Sequence, residues 1–129
     1  MSQIKIYGLR PHLTSQRKKL SDTLHSCIVE AFKYPENKRA HRFFYMDEED
    51  FYYPEGRSTQ YTIIEIFLFE GRSIEAKKTL YKLIFERFEN ELSIFPNDVE
   101  ITLIETPLYN WGIRGKSGDE LILNYNVQT

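Results

Sequence analysis

The densest group of side chains able to bind an anion lies in the first half of the chain. Three cations adjoin three aromatic residues there: Lys38, Arg39, Arg42, Phe43, Phe44 and Tyr45. Basic residues beside aromatic rings can hold a small anion or stack the bases of a single-stranded nucleic acid. Strand alternation explains the run more simply, because it places Arg42 and Phe44 on one face and Phe43 and Tyr45 on the other. We therefore expect no nucleic-acid partner.

Arg72 and Trp111 are two further candidates for a binding site. Arg72 stands directly before a predicted helix, where its positive charge is unfavourable to the helix dipole, so another group must hold it there. Both a carboxylate-binding role and a plain surface position remain open for it. Trp111 is followed by Gly112 in a predicted loop, and its large amphipathic ring suits a site, an interface or core packing.

Other kinds of chemistry lack the residues they need. His12, His25 and His41 do not have metal-ligand spacing, and the chain contains no glycine-rich phosphate loop or nucleophile elbow. The single Cys27 rules out an intramolecular disulfide and falls on a helical apolar stripe as a small buried hydrophobe does. We expect neither a metal nor a cofactor.

Length and charge set the broad class of the protein. The chain has 129 residues, which is close to the usual size of one domain, so we predict a single domain over residues 1–129. Its formal net charge of -2 gives no general attraction to nucleic acid or to an anionic membrane. No apolar run reaches the ~18 residues needed to span a bilayer. A cytoplasmic protein without a membrane partner is the expectation.

The first half of the chain has the pattern of a β-α-β unit. Its predicted strand, helix, strand and loop are residues 3–9, 15–32, 42–46 and 47–56. Thr14 or Ser15 is expected to cap the helix, because Pro11 is taken as part of the break after the first strand. The loop carries Phe51, Tyr52 and Tyr53, which either line a pocket, cover a neighbouring subunit or pack within the subunit.

The second half repeats this order. A strand at 61–69 and a helix capped by Ser73 and ending at Leu92 are followed by a strand at 99–105. A shift of about sixty residues superposes the apolar positions of the two helices, as an internal repeat does. We predict repeated units over about 3–50 and 61–106, then a C-terminal loop and strand within 107–129. Two helices on one face of a four-stranded sheet follow, in either the ferredoxin-like or the tautomerase strand order.

Three segments carry a resemblance that separates these orders. They read YPENKR at 34–39, YTIIEIFLFEGRSIEAKKTLY at 61–81 and PNDVEITLIETPLYNWGIRG at 96–115. Together they resemble the fused-repeat, malonate semialdehyde decarboxylase-like group of the tautomerase superfamily. The resemblance implies an α+β two-layer sandwich of duplicated β-α-β units, similar to macrophage migration inhibitory factor.

The same resemblance implies an assembly and a site. The relatives form a homotrimer around a central axis, and their active sites lie near the start of the first strand. An amino-terminal proline serves there as general base or acid, and arginines grip a small carboxylate ligand. By this comparison Met1 or Ser2 is the candidate catalytic residue, and the candidate substrate-binding residues are Lys38, Arg39, Arg72 and Trp111.

Departures from the relatives bear on activity. Ser2 stands where they carry the proline, Lys38 where they carry an aspartate, and Glu70 where they carry an arginine. We expect a keto-enol tautomerase, isomerase or related lyase acting on a small carbonyl carboxylic acid, with impaired or altered activity. The alternative is a non-catalytic trimeric descendant that binds a ligand or a protein.

Overall fold

The computed structural model describes residues 2–121 and 126–128. Its main elements follow the predicted order: β1 (Ser2–Leu9), α1 (Arg10–Phe32), β2 (His41–Met46), β3 (Thr62–Phe69), α2 (Ile74–Leu92) and β4 (Val99–Thr106). A two-stranded hairpin completes the list: β5 (Gly112–Ile113) and β6 (Lys116–Ser117). Met1 and most of the terminal strand predicted at 121–127 lie outside the described residues.

Strand pairing identifies the fold. The sheet order is β2-β1-β3-β4, with β1 and β3 antiparallel in the centre and each outer strand parallel to the strand of its own half. The predicted α+β sandwich with two helices on one face is confirmed. The ferredoxin-like alternative is excluded, because that order would separate β2 from β1.

The two halves share one register. Ile4 pairs with His41 in the first half, and Ile64 pairs with Ile101 in the second, so both partners lie sixty positions further along the chain. The core is built symmetrically from β1, β3 and the facing sides of both helices. Its fully buried side chains include Ile4, Ile6, Leu24, Ile28, Ile64, Ile66, Ile84 and Phe88.

The starts of the two helices differ, and one of them corrects a prediction. Ser73 caps α2 as expected, since its hydroxyl accepts a hydrogen bond from the Ala76 N–H at 3.1 Å. However, α1 begins at Arg10 rather than near Ser15, and Pro11 lies in its first turn. Proline is favourable there because its missing N–H would have no helical partner and its fixed φ already suits a helix.

One face of the sheet is left without a helix. Tyr7, Phe44, Ile63, Phe67 and Ile104 lie on strands that present this face, and each is at least partly exposed. Tyr7 stacks on Phe44 at a centroid distance of 5.0 Å, and its hydroxyl donates to Glu65 at 2.7 Å. An apolar surface of this kind, interrupted by satisfied polar groups, is typical of protein interfaces.

Candidate functional site at the amino end of the first strand

The start of β1 brings a backbone nitrogen against a buried phenol. The Ser2 N–H donates to the Tyr34 hydroxyl oxygen at 2.9 Å, and the two residues are only 7% and 4% exposed. Tyr34 reaches this position because α1 ends at Phe32 and Lys33 then adopts the left-handed conformation, with φ 51°. This turn sends the chain back toward the strand that the helix followed.

Arg72 lies at the end of the same helix. Its Nη1 donates to the Phe32 carbonyl at 3.1 Å and to the Asn126 carbonyl at 3.2 Å, and its guanidinium stands 4.8 Å from the centre of the Phe32 ring. The charge that is unfavourable before α2 therefore lies at the carboxyl end of α1, where the helix dipole favours a cation. The carboxyl end of α1 therefore holds Arg72.

Gly71 makes this placement possible. Its φ of 128° is accessible to glycine, and a Cβ added there would lie 2.7 Å from the Val127 carbonyl oxygen. The chain thus turns sharply after β3, sends Arg72 across to α1, and leaves room for residues 126–128 against the turn. Ser2 and Arg72 both contact the segment 32–34, which joins them into one site.

Trp111 closes the neighbouring part of this end. Its indole Nε1 donates to the Thr106 hydroxyl at 2.7 Å, and its ring packs edge-on against Phe69 at 5.1 Å. Phe69 ends β3, and Ser2 pairs with the adjacent Leu68 across the central strands. Gly118 is required for this loop, since a Cβ there would come within 2.1 Å of the Leu108 carbonyl oxygen.

The other two predicted substrate-binding residues lie apart from this group. Arg39 Nη1 donates to Asp22 at 2.6 Å and to the Ser21 hydroxyl at 3.3 Å, so its charge is directed along the side of α1. Lys38 is half-buried in the loop before β2, and among residues 2–121 and 126–128 no ion pair joins it to the exposed Glu70. The changed charges at these two positions therefore do not compensate each other through direct contact.

Tyr34 is the member of this site that sequence reasoning missed. Its position just after a predicted helix and before Pro35 indicated only a helix end. One signal was available: the repeat matches Tyr34 with Ile94, so only the first half carries a hydroxyl at this position. A buried phenol needs a partner, and the Ser2 nitrogen supplies it.

Burial and nearby charges also act on the histidine beside this end. The pKa of His41 is lowered to about 4, chiefly by burial and also by His25 and Arg39, while Asp22 opposes them. Its Nδ1 lies 2.7 Å from the Ser21 hydroxyl. The His41 imidazole is therefore neutral near pH 7, and this contact links β2 to α1. In the described part of the chain, the single cluster of metal-binding type is the exposed Asp47, Glu49 and Asp50.

Comparison with known proteins identifies the family. The chain belongs to the family described as "Tautomerase enzyme", whose profile matches residues 38–114. It is 31% identical over 113 residues to a probable tautomerase, YusQ, of Bacillus subtilis (strain 168), covering 78% of this chain and 87% of that protein. It is also 29% identical over 102 residues to the probable tautomerase YrdN of the same organism, covering 75% and 78%.

Solved structures agree with this assignment. A malonate semialdehyde decarboxylase is 26% identical and superposes with a TM-score of 0.80, covering 88% of this chain and 92% of that one. A fused 4-OT, described as an asymmetric trimer, is 18% identical with a TM-score of 0.78 over 91% and 96% of the two chains, which shows a shared fold. Membership in the tautomerase superfamily is confirmed. No helix among the described residues is long and apolar enough to cross a bilayer.

Proposed function

We propose that this chain is an isomerase that interconverts the keto and enol forms of a small carbonyl carboxylic acid at the amino end of β1. The observation that carries this proposal is the buried 2.9 Å hydrogen bond between the Ser2 nitrogen and the Tyr34 hydroxyl. Keto-enol conversion removes a proton from the carbon beside a carbonyl and places one on oxygen. A nitrogen and a phenol in contact are suited to that exchange.

The nitrogen becomes a base when Met1 is removed. Ser2 then carries a primary α-amine with a reference pKa of ~7.7 to 8.0, which leaves a useful neutral fraction near pH 7. In the proposed reaction the neutral amine takes the proton from the carbon, and the resulting ammonium gives it up as the product forms. Tyr34 orients that amine through the existing hydrogen bond. If Met1 is retained, its own amine is the candidate group, displaced by one residue.

Arg72 and Trp111 are proposed to hold the substrate. A planar guanidinium suits a carboxylate, and Arg72 contacts the segment 32–34 that also carries Tyr34. Trp111 provides an aromatic wall beside the end of β3. Lys38 and Arg39 stay secondary candidates from the loop before β2, since Arg39 is already engaged by Asp22.

A non-catalytic ligand- or protein-binding role is the second candidate. Two observations favour it: the Ser2 nitrogen acts as a hydrogen-bond donor, and Nη1 of Arg72 already donates to two backbone carbonyls. Both groups thereby stabilise the end of α1 without any substrate. In this role the fold of the relatives would persist while their catalytic group has been replaced.

We also propose that the chain assembles as a homotrimer through the uncovered face of its sheet. The partly exposed apolar residues there support an interface, and the fused 4-OT that shares the fold is described as a trimer. Native mass spectrometry tests this and reports the state of Met1 in the same spectrum. A trimer is the expected result, and a monomer at micromolar concentration would contradict the proposal.

Phenylpyruvate ketonisation tests the activity. We expect measurable activity from the wild type, a loss of about tenfold or more in Tyr34→Phe, and little change in Tyr52→Phe, whose side chain is exposed. Ser2→Pro serves as the reference for a processed terminus carrying the relatives' base. Activity in Ser2→Pro alone would overturn the catalytic proposal and support the binding role.

A further inference from the structure

A cavity lies at the end of the central strands opposite to the candidate site. It measures about 810 Å³ and opens where β1 and β2 end and β3 begins. Its lining includes Arg10, His12, Glu48, Glu49, Tyr53 and Gln60. None of these residues belongs to the candidate site described above, so the cavity needs an explanation of its own.

The internal repeat relates this cavity to the first site. A shift of sixty positions, the one that relates the strand registers, matches Ser2 with Thr62 and Arg72 with His12. The cavity is therefore the counterpart of the first site in the other half. An imidazole stands where that site has a guanidinium, which changes the chemistry that the pocket can recognise.

His12 offers a hydrogen-bond acceptor to this cavity. The Thr62 hydroxyl donates its single proton to the Gln60 carbonyl at 2.8 Å, so it can only accept from His12 Nε2, which lies 2.9 Å away. That pairing fixes the neutral tautomer protonated on Nε2 and leaves a lone pair on Nδ1. Within the described residues nothing donates to Nδ1, although His12 is only 8% exposed.

The rim of the cavity is negatively charged. Arg10 is paired with Asp47 at 3.4 Å, whereas Glu48 and Glu49 have no ion-pair partner among residues 2–121 and 126–128. Anions are repelled by such a rim and cations are attracted to it. The ring of Tyr53, packed against Tyr61 at 5.5 Å, adds an aromatic surface of the kind that binds ammonium groups.

We propose that this cavity binds a small organic amine. Its ammonium group lies between the Glu48 and Glu49 carboxylates and the Tyr53 ring, and one N–H donates to His12 Nδ1. The carboxylic acid proposed for the first site and this amine would thus occupy opposite ends of one sheet. Binding here does not depend on catalysis at residue 2.

Isothermal titration of the full chain in an amine-free buffer tests the proposal, with benzylamine as the probe. Benzoate and benzyl alcohol have the same ring with negative or no charge. We expect benzylamine to bind about tenfold more tightly than either compound. Equal or tighter binding of benzoate, or no benzylamine binding at millimolar concentration, would overturn the assignment.

Matched variants locate the bound amine. Tyr53→Ala and the double change Glu48→Gln, Glu49→Gln should each weaken benzylamine binding about fivefold. Tyr52→Ala and Glu55→Gln change exposed neighbours outside the lining and should stay within about twofold of the wild type. An equal loss in Tyr52→Ala and Tyr53→Ala would contradict the placement.

The His12 contact has its own readout, which needs no destabilising variant. In protein labelled with ¹⁵N-histidine, benzylamine should shift the His12 Nδ1 resonance and leave Nε2 nearly unchanged, because only Nδ1 gains a donor. A saturating titration that leaves Nδ1 unmoved would show that the amine does not reach His12.

Discussion

The turns that follow β1 and β3 occupy matching positions in the repeat, yet they do different things. After β1 the chain enters a helix at once, with Pro11 in its first turn and His12 facing Thr62. After β3 the matching position is Gly71, whose left-handed turn delays the next helix until Ile74 and carries Arg72 to the end of α1.

This difference shows how a duplicated frame acquires two chemistries. Both ends keep the same strand register and a buried hydrogen-bonding group at the start of a central strand, Ser2 or Thr62. Pro11 occupies the turn in the first half, and the next residue, His12, lies in α1 and contacts Thr62. Gly71 occupies the matching turn, and the next residue, Arg72, reaches the end of α1. The frame fixes the place of each site, and the residues that differ between the halves set its charge.

Removal of Arg72 should have the largest effect on stability, because this side chain distinguishes the turn after β3 from the turn after β1. Arg72→Met deletes a buried cation and leaves the carbonyls of Phe32 and Asn126 without this donor, so we expect unfolding to become easier by about 3 kcal/mol. Urea denaturation measures this. Arg17→Met, at an exposed position of α1, is the control and should change stability by no more than about 0.5 kcal/mol. Similar losses in both variants would contradict a structural role for Arg72.

Gly71→Ala tests the turn itself. Gly71 and Gly56 both have positive φ, but only at Gly71 would a Cβ meet backbone, at 2.7 Å from the Val127 oxygen. We expect Gly71→Ala to lower the free energy of unfolding by about 2 to 3 kcal/mol. Gly56→Ala should lower it by about 1 kcal/mol, because there only the backbone conformation is unfavourable to alanine. Thermal unfolding of the two variants side by side gives the difference. Equal costs would mean that crowding at Gly71 has no energetic effect.

Acid should weaken both ends, because each contains an imidazole whose pKa is lowered in the folded chain. Burial lowers the pKa of His41 to about 4 and also lowers that of His12, so the unfolded chain binds more protons than the folded one. For His41 the unfolding free energy is highest above pH 6.5 and falls as the pH falls toward 4, at up to roughly 1.4 kcal/mol per pH unit, and His12 acts in the same direction. Urea unfolding across this range measures the slope. His41→Gln should reduce it, and an unchanged slope would contradict the assignment.

Tyr34→Phe should have the smallest effect on stability of these changes, and it removes one hydrogen bond of the candidate site. It removes the hydroxyl that accepts from the Ser2 nitrogen, so we expect a loss of about 1 kcal/mol in unfolding free energy. The cavity at the opposite end should bind benzylamine as before, because Tyr34 is not part of its lining. Weaker benzylamine binding in this variant would show that the two ends are coupled.

The fold could be predicted from the sequence because its signals are local and repeated. The apolar stripes of α1 and α2 and the dense β-branched run of β3 specify their own elements, and the offset of sixty specifies how the halves match. The predicted start of α1 was wrong, because a proline in the first turn of a helix cannot be told by sequence pattern from a proline that ends a strand.

The site was less accessible to sequence reasoning. Arg72 and Trp111 lie at the predicted end of the sheet, while the Arg39 side chain is taken up by Asp22. Neither the contact of Tyr34 with Ser2 nor the acceptor of Arg72 follows from periodicity. Both depend on how the end of α1 meets another segment, and that is a tertiary relation between residues far apart in the chain.

The central claim is that the two ends of the sheet recognise opposite charges. The most direct test is to titrate one ¹⁵N-labelled sample first with phenylpyruvate and then with benzylamine, following backbone amide shifts. Phenylpyruvate should move amides in segments 32–34 and 68–72, and benzylamine those in 9–16 and 46–53. Two ligands that move the same set of amides would contradict the account.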